Sequence, residues 1–192
     1  MTHDNYDDSY IRGILNTVKT IAMVGASAKD NRPSYFAFKY LAERGYNMIP
    51  INPGLAGKEL LGRKIYGRLS EVPEPIDMVD IFRASNYAMP IVQEALTLSP
   101  KPRVIWMQLT VRNDEAAALA EANVMKVVMN RCPKIEYGRL SSEIGWLGIN
   151  SRTLSSKRAQ LSGKGVQRMS LNRSTLAGGT IARVVPEGEK TG

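Results

Sequence analysis

Residues 20–35 read TIAMVGASAKDNRPSY, and this stretch decides the fold. The apolar run 21–24 predicts a strand that ends at Gly25, and a helical pattern begins at residues 32–34. At such a junction, backbone N–H groups face outward from the sheet edge and favour a phosphate, which small residues allow to approach closely. The turn keeps only Gly25 of the G-x-G-x-x-G dinucleotide pattern, so an ordinary βα turn without a ligand stays equally open.

The same strand–helix unit recurs along the chain. Main strands are predicted at 21–24, 46–51, 78–82, 104–109 and 125–129, with a small strand at 64–66. Helices are predicted at 10–18, 33–44, 86–98, 114–122 after an Asn113 cap, and 133–144. Alternation of this kind predicts βαβ units, and continuous apolar runs predict a sheet covered on both faces. The sequence therefore predicts an α/β, Rossmann-like doubly wound parallel sheet of about five strands, with a ligand crevice at the carboxyl ends of the strands.

The positive charge of the chain is concentrated near its end. Of a net charge of +8, residues 147–192 carry +6, from eight Lys or Arg and two Glu. We therefore expect residues 1–150 to form the Rossmann-like domain and residues 151–192 to form a basic, partly flexible tail. A basic arm can bind nucleic acid, but this one lacks interleaved aromatic residues and any known nucleic-acid motif, so no nucleic-acid partner is expected.

Other features of the sequence bear on the cellular location of the protein. No apolar run reaches the roughly 18 residues that a membrane span requires, and the N-terminus MTHDNYDDSY does not resemble a secretory signal. Cys132, the single cysteine, excludes an internal disulfide. Together these features predict a soluble, cytoplasmic protein without a membrane partner.

Small, polar or cationic residues follow each main strand, which suits a phosphorylated ligand. They are Gly25-Ala26-Ser27, Asn52-Pro53-Gly54, Arg83-Ala84-Ser85, Gln108-Leu109-Thr110 and Asn130 to Pro133. NAD-binding folds usually place an acid after the second strand to accept the ribose hydroxyls. Asn52 holds that position here, and the nearest carboxylate is Glu59. The pattern disfavours NAD and favours a ligand with an extra phosphate on its ribose.

Six collinear segments carry a family resemblance. They are VGAS…RPSY, YNMIPINPG, GRKIYGRLSEVPE, IDMVDIFR, VIWMQLTVRNDEAA and VVMNRCPKIEYGRL. Over about residues 10–150 the chain resembles the stand-alone CoA-binding proteins, whose fold is that of the N-terminal domain of the succinyl-CoA synthetase alpha subunit. The resemblance implies that coenzyme A, or a short acyl-CoA, binds with its ADP part in the sheet crevice.

The resemblance also implies roles for residues at the strand ends. Gly25, Ala26 and Ser27 would bind the pyrophosphate, and Arg32 would contact a phosphate. Asn52 and Pro53 would flank the adenosine. Phe82 and Arg83 would pass under the adenine or the pantetheine, and Gln108 would face the pantetheine arm. From the residues alone, a structural salt bridge is the alternative for Arg83.

The sequence offers no catalytic set. Succinyl-CoA synthetase uses a phosphorylated histidine on another domain, whereas the single histidine here is His3, in a segment that we expect to be frayed. There is no Ser-His-Asp set, no Cys/His metal spacing and no pair of carboxylates at a strand end. We therefore expect a non-catalytic carrier, sensor or regulatory module, which a homodimer or a partner protein would suit. An NAD-binding redox sensor or small dehydrogenase-like enzyme is the alternative.

Two further residues leave alternatives open. Cys132 precedes a helix and follows Arg131, which should lower its thiol pKa and allow a mixed disulfide with CoA. A buried structural cysteine is the other interpretation. Asp80 lies inside an apolar strand, where it would cap a turn or bind a neighbouring backbone N–H.

Overall fold

The computed structural model describes residues 3–141 and places five parallel strands in one sheet. In chain order the strands are β1 (Thr20–Val24), β2 (Asn47–Ile51), β3 (Glu59–Leu60), β4 (Arg63–Lys64), β5 (Met78–Ile81), β6 (Val104–Met107) and β7 (Lys126–Val128). The sheet order is β2-β1-β5-β6-β7, while β3 and β4 form a separate antiparallel hairpin. The predicted α/β, doubly wound sheet of five parallel strands is confirmed.

Helices cover both faces of the sheet. They are α1 (Asp8–Thr17), α2 (Pro33–Glu43), α3 (Ala88–Thr97), α4 (Asp114–Ala122) and α5 (Pro133–Leu140). Side chains of α1 and α2 pack against one face around Trp106, which is fully buried, and side chains of α3 and α4 pack against the other around Ile105. Burial on both faces explains why the strands read as continuous apolar runs. None of the helices in residues 3–141 is both long and apolar enough to cross a membrane.

The ends of the elements follow local signals. Asn113 caps α4, because its side-chain oxygen accepts the N–H of Ala116 at 2.8 Å, and Asp114 and Glu115 follow in the first turn. β6 ends at Met107, two residues before its predicted end, since the chain turns at residues 108–110 and Thr110 has a φ of 68°. The predicted small strand is displaced into the hairpin, and Tyr66 instead forms a parallel bridge with Ile51. The end of the last predicted helix (142–144) and the predicted tail (151–192) lie outside the described residues.

The N-terminal segment is packed, so the prediction that His3 lies in a frayed end is wrong. His3 is 7% exposed, and its Nδ1 lies 2.9 Å from the hydroxyl of Tyr6. The Tyr6 hydroxyl accepts the backbone N–H of Met129 at 2.7 Å, and the Tyr10 hydroxyl donates to the carbonyl of Val127 at 3.2 Å. The two tyrosine rings stack with centroids 5.9 Å apart. These contacts bind the segment to β7, the outer strand on this side of the sheet.

Candidate functional site

The crevice of the fold lies where β1 and β5 run side by side. The chain leaves β1 towards β2, and later returns to β5 on the other side of β1. Connections that depart in opposite directions leave an open crevice at the carboxyl ends of the two strands. Gly25 follows β1 at this point, and Phe82 and Arg83 follow β5.

Gly25 closes the contact between these two strand ends. It has a φ of +94°, and a Cβ built on it would lie 2.5 Å from the carbonyl oxygen of Phe82 and 2.9 Å from Cδ of Arg83. Its N–H donates to the carbonyl of Ile51 at 2.8 Å. Glycine is thus required by the backbone conformation and by the approach of β5. The sequence interpretation, in which this glycine makes room for a phosphate, missed that packing role.

Two further N–H groups at this turn are also bonded within the protein. The N–H of Ser27 donates to the hydroxyl of Ser34 at 3.2 Å, and the hydroxyl of Ser27 accepts the N–H of Lys29 at 3.2 Å. The expectation that the N–H groups of the turn face outward is therefore wrong for Gly25, Ser27 and Lys29. These bonds fix the shape of the turn.

Asn52 joins the end of β2 to the same turn. Its Nδ2 donates to the carbonyl of Ala26 at 2.8 Å, and its Oδ1 accepts the N–H of Gly54 at 3.0 Å. A carboxylate at this position would lack the N–H that the carbonyl of Ala26 accepts. The residue that replaces the ribose-binding acid of NAD folds therefore has a structural reason to be an amide.

Two cavities open along this edge of the sheet and share Arg83. The smaller one, of about 490 Å³, lies over the ends of β1 and β2, and its lining includes Gly25, Pro53, Arg68, Tyr87 and Glu94. The larger one, of about 860 Å³, lies over the ends of β5 and β6 between the first turns of α2 and α5, and its lining includes Phe36, Phe82, Gln108, Cys132 and Ile135. Both volumes lie in the range of small-molecule sites, roughly 300–1,000 Å³.

Arg83 is an exposed cation between the two cavities. Its guanidinium carbon lies 4.7 Å from the centroid of the Tyr87 ring. Within residues 3–141, no carboxylate forms an ion pair with Arg83, so the salt bridge that was the alternative for this residue is not seen. An exposed guanidinium without a carboxylate partner is available to an anion.

Beneath the larger cavity lies a buried amide–acid pair. The Nε2 of Gln108 lies 3.0 and 3.2 Å from the two carboxyl oxygens of Asp80, and Asp80 is fully buried. Burial raises the pKa of Asp80 to about 8, although the hydrogen bond from Gln108 acts in the opposite direction. Asp80 thus binds a side-chain amide, whereas the sequence suggested a turn or a backbone N–H. The amide of Gln108 is held from below at the cavity that it lines.

Cys132 lies at the start of α5 and is 8% exposed. Burial raises the pKa of its thiol, and this effect outweighs the backbone hydrogen bonds from Ile135 and Lys134, which lower the pKa. The expectation of a lowered pKa is therefore wrong, and the interpretation as a buried cysteine describes the residue better. At neutral pH this thiol is protonated.

The predicted site residues fall into three groups. Gly25, Pro53, Phe82, Arg83 and Gln108 line the two cavities. Ala26 and Asn52 lie behind them and hold the turn. Ser27 and the exposed Arg32, at the N-cap of α2, line neither cavity. Among residues 3–141, no group of three or more His, Cys, Asp or Glu side chains is placed to hold a metal ion.

Sequence reasoning missed the apolar wall of the larger cavity. Phe36 and Ile135 each lie in the first turn of a helix that begins with proline, at Pro33 and Pro133. A signal was present in the sequence: each is an apolar residue in the first turn of a helix that starts at the carboxyl edge of the sheet. Arg68, in the loop after the hairpin, had no comparable signal.

Comparisons with known proteins agree with this geometry. A family model described as CoA binding domain matches residues 19–138. YneT of Bacillus subtilis, described as uncharacterized, is 35% identical over 133 residues, which cover 69% of this chain and 96% of YneT. The alpha subunit of ADP-forming acetate–CoA ligase I from Pyrococcus furiosus is 32% identical over 80 residues, which cover 40% of this chain and 17% of that subunit.

Solved structures show the same fold. A hypothetical protein from Pyrococcus horikoshii OT3 has a TM-score of 0.68 and 37% identity, covering 73% of this chain and 96% of that one. A protein from Thermus thermophilus, described as cell-free ID.343, has a TM-score of 0.66 and 33% identity, covering 70% and 99%. The sheet, the crevice and the matched residues therefore coincide in one segment of the chain.

Proposed function

Because this chain belongs to the CoA binding domain family, we propose that it binds coenzyme A or a short acyl-CoA along the crevice between β1 and β5. The nucleotide half lies in the smaller cavity, and the pantetheine arm enters the larger one. The protein acts as a carrier, sensor or regulatory module and carries out no chemistry of its own.

The observation that carries this proposal is the position of Arg83. Its guanidinium lies between the two cavities and has no carboxylate partner among residues 3–141. An elongated ligand with a pyrophosphate near its middle places that charge beside Arg83 when its two ends fill the two cavities. Arg68, which lines the smaller cavity, is a second cation for the phosphate on the ribose.

The other site residues act as support in this proposal. Gly25 contacts the pyrophosphate, and Ala26 and Ser27 shape the turn behind it. Pro53 flanks the adenosine, and Asn52 holds the turn from behind. Phe82 and Gln108 contact the arm, and Arg32 approaches a phosphate from the rim. The absence of an acid after β2 favours CoA over NAD, because NAD-binding folds use that acid to hold the ribose hydroxyls.

The same residues support the proposal of a role without catalysis. His3 packs against Tyr6 at the β7 edge, and it lines neither cavity. Cys132, which lines the larger cavity, has a raised pKa and stays protonated at neutral pH. Protonated thiols are poor nucleophiles. The ligand would thus be held without being attacked.

Titration calorimetry of the full chain with CoA, dephospho-CoA, NAD and NADP tests the proposal. We expect CoA to bind most tightly. Arg83→Gln should weaken CoA binding about 10- to 100-fold, the range expected for losing one hydrogen bond to a charged group. The matched control is Arg63→Gln, since Arg63 is exposed in the hairpin and bonds to Asn47, at the opposite end of β2. Absence of CoA binding, or tighter binding of NAD, would overturn the proposal.

A further inference from the structure

The larger cavity is more apolar than a pantetheine arm requires. Its walls include six apolar side chains: Phe36, Ala37, Phe82, Leu109, Val111 and Ile135. Phe36 is half-exposed (50%), although most of the large apolar side chains of residues 3–141 are buried. Clustered, exposed apolar surface in a groove marks a site where an apolar group binds.

Strand ends and helices contribute different residues to this cavity, and α2 and α5 contribute Phe36 and Ile135 together with Lys134. Arg83, Ala84 and Ser85 follow β5 and form the side that joins the smaller cavity. Phe36 on α2 and Ile135 on α5 both line the cavity, and the Lys134 ammonium lies 5.9 Å from the centroid of the Phe36 ring. An arm that enters beside Arg83 would therefore reach the apolar wall at its far end.

The size of the cavity is consistent with this arrangement. At about 860 Å³ it is near the upper end of the range for complete drug-sized ligands, roughly 300–1,000 Å³. A thin pantetheine arm alone does not fill such a volume. Further apolar atoms attached to the sulfur of the ligand would lie against Phe36 and Ile135.

We infer that this cavity holds the acyl chain of a medium-chain acyl-CoA, with the thioester near Gln108 and the chain between α2 and α5. The inference rests on the proposed function, since the CoA half must first occupy the crevice. The acyl chain is apolar and not anionic, because the cation nearest to the wall, Lys134, already lies over the rings of Phe36 and Tyr40.

The test compares CoA, acetyl-CoA, butyryl-CoA and octanoyl-CoA by titration calorimetry on the full chain. Complete burial of a methylene increases affinity roughly fourfold, and an open groove buries each methylene on one side, so we expect about twofold per methylene. Octanoyl-CoA has six more methylenes than acetyl-CoA, which predicts binding roughly 60-fold tighter.

Two matched variants separate the groove from nonspecific adhesion. Ile135→Thr should weaken octanoyl-CoA binding about threefold or more relative to CoA binding, because one apolar contact is lost from the wall. Val124→Thr, at a position 93% exposed and outside the cavity, should change neither value. Circular dichroism confirms that both variants are folded.

The outcomes distinguish the inference from the proposed function. If CoA binds but affinity does not rise with chain length, the acyl site is wrong and the proposed function stands. The acyl site is equally wrong if the preference rises with chain length but is unchanged in Ile135→Thr. If neither CoA nor any acyl-CoA binds, the proposed function fails as well.

Discussion

Replacing Asp80 with Asn should remove a large part of the pH dependence of stability. Burial raises the pKa of Asp80 to about 8 in the folded protein, against about 3.9 for an unfolded chain. Between these values the folded state holds a proton that the unfolded state has lost. The stabilisation is therefore fully present below about pH 4 and is lost as the pH rises towards about 8.

The size of the effect follows from the same two pKa values. Inside the window, one group lowers the free energy of unfolding by about 1.4 kcal/mol per pH unit, or about 3 kcal/mol between pH 5 and pH 7. Asn has nearly the shape of the protonated acid, and its side-chain oxygen can accept the Nε2 of Gln108. We therefore expect the free energy of unfolding of Asp80→Asn to fall by about 3 kcal/mol less than that of the wild type over this interval.

Urea unfolding at pH 5 and pH 7, followed by circular dichroism, gives the change in the free energy of unfolding for the wild type and for Asp80→Asn. Titratable groups that both proteins share contribute equally to the two changes and cancel when the changes are compared. Asp77→Asn is the control, because hydrogen bonds from Thr20, Lys19 and Arg103 lower the pKa of Asp77. That carboxyl is ionised at both pH values, so its replacement should destabilise the protein equally at each. Parallel profiles for the wild type and Asp80→Asn would refute the reasoning.

Three further predictions concern other parts of the chain. Val124→Gly should raise the free energy of unfolding by about 1 kcal/mol, because Val124 is β-branched, has a φ of 64° and is 93% exposed; an unchanged urea midpoint would contradict this. Gly25→Ala should destabilise by about 2 kcal/mol or more, since its Cβ would lie 2.5 Å from the Phe82 carbonyl oxygen; a loss below about 0.5 kcal/mol in the same assay would show that β5 yields easily. Deletion of residues 156–192 should change CoA affinity by less than about threefold, because both cavities are lined by residues 24–135. The measurement is made by calorimetry at physiological salt, where exposed charges act over about 8 Å. A tenfold loss of affinity would place the tail at the crevice.

Local patterns were sufficient to predict the main strands and helices of the fold. Apolar runs located the strands, and Asn113 with the acids after it located the start of α4. These signals act over a few residues and are readable in a single sequence. The same holds for the strand ends, which were predicted to share one edge because the strands are parallel; that Gly25 and Arg83 are neighbours there is seen only in the structure.

Contacts between distant residues were not predictable in this way. Asp80 and Gln108 are 28 positions apart, and nothing in either segment indicates that the two side chains meet. The pKa of Cys132 depends on burial, which a neighbouring Arg131 does not reveal. His3 was judged by the polar residues around it, whereas the tyrosine rings beside it bind the segment to the sheet.

The hydroxyls of Tyr6 and Tyr10 have a consequence for assembly. Val127, in β7, and Met129, just after it, direct backbone groups away from β6, and the two phenols bind one group of each. A strand of another molecule that extended the sheet at β7 would have to displace both rings first. Such exposed strand edges are a common route to unwanted association. Any variant that loses residues 3–10 would uncover this edge, and its self-association would then increase with protein concentration.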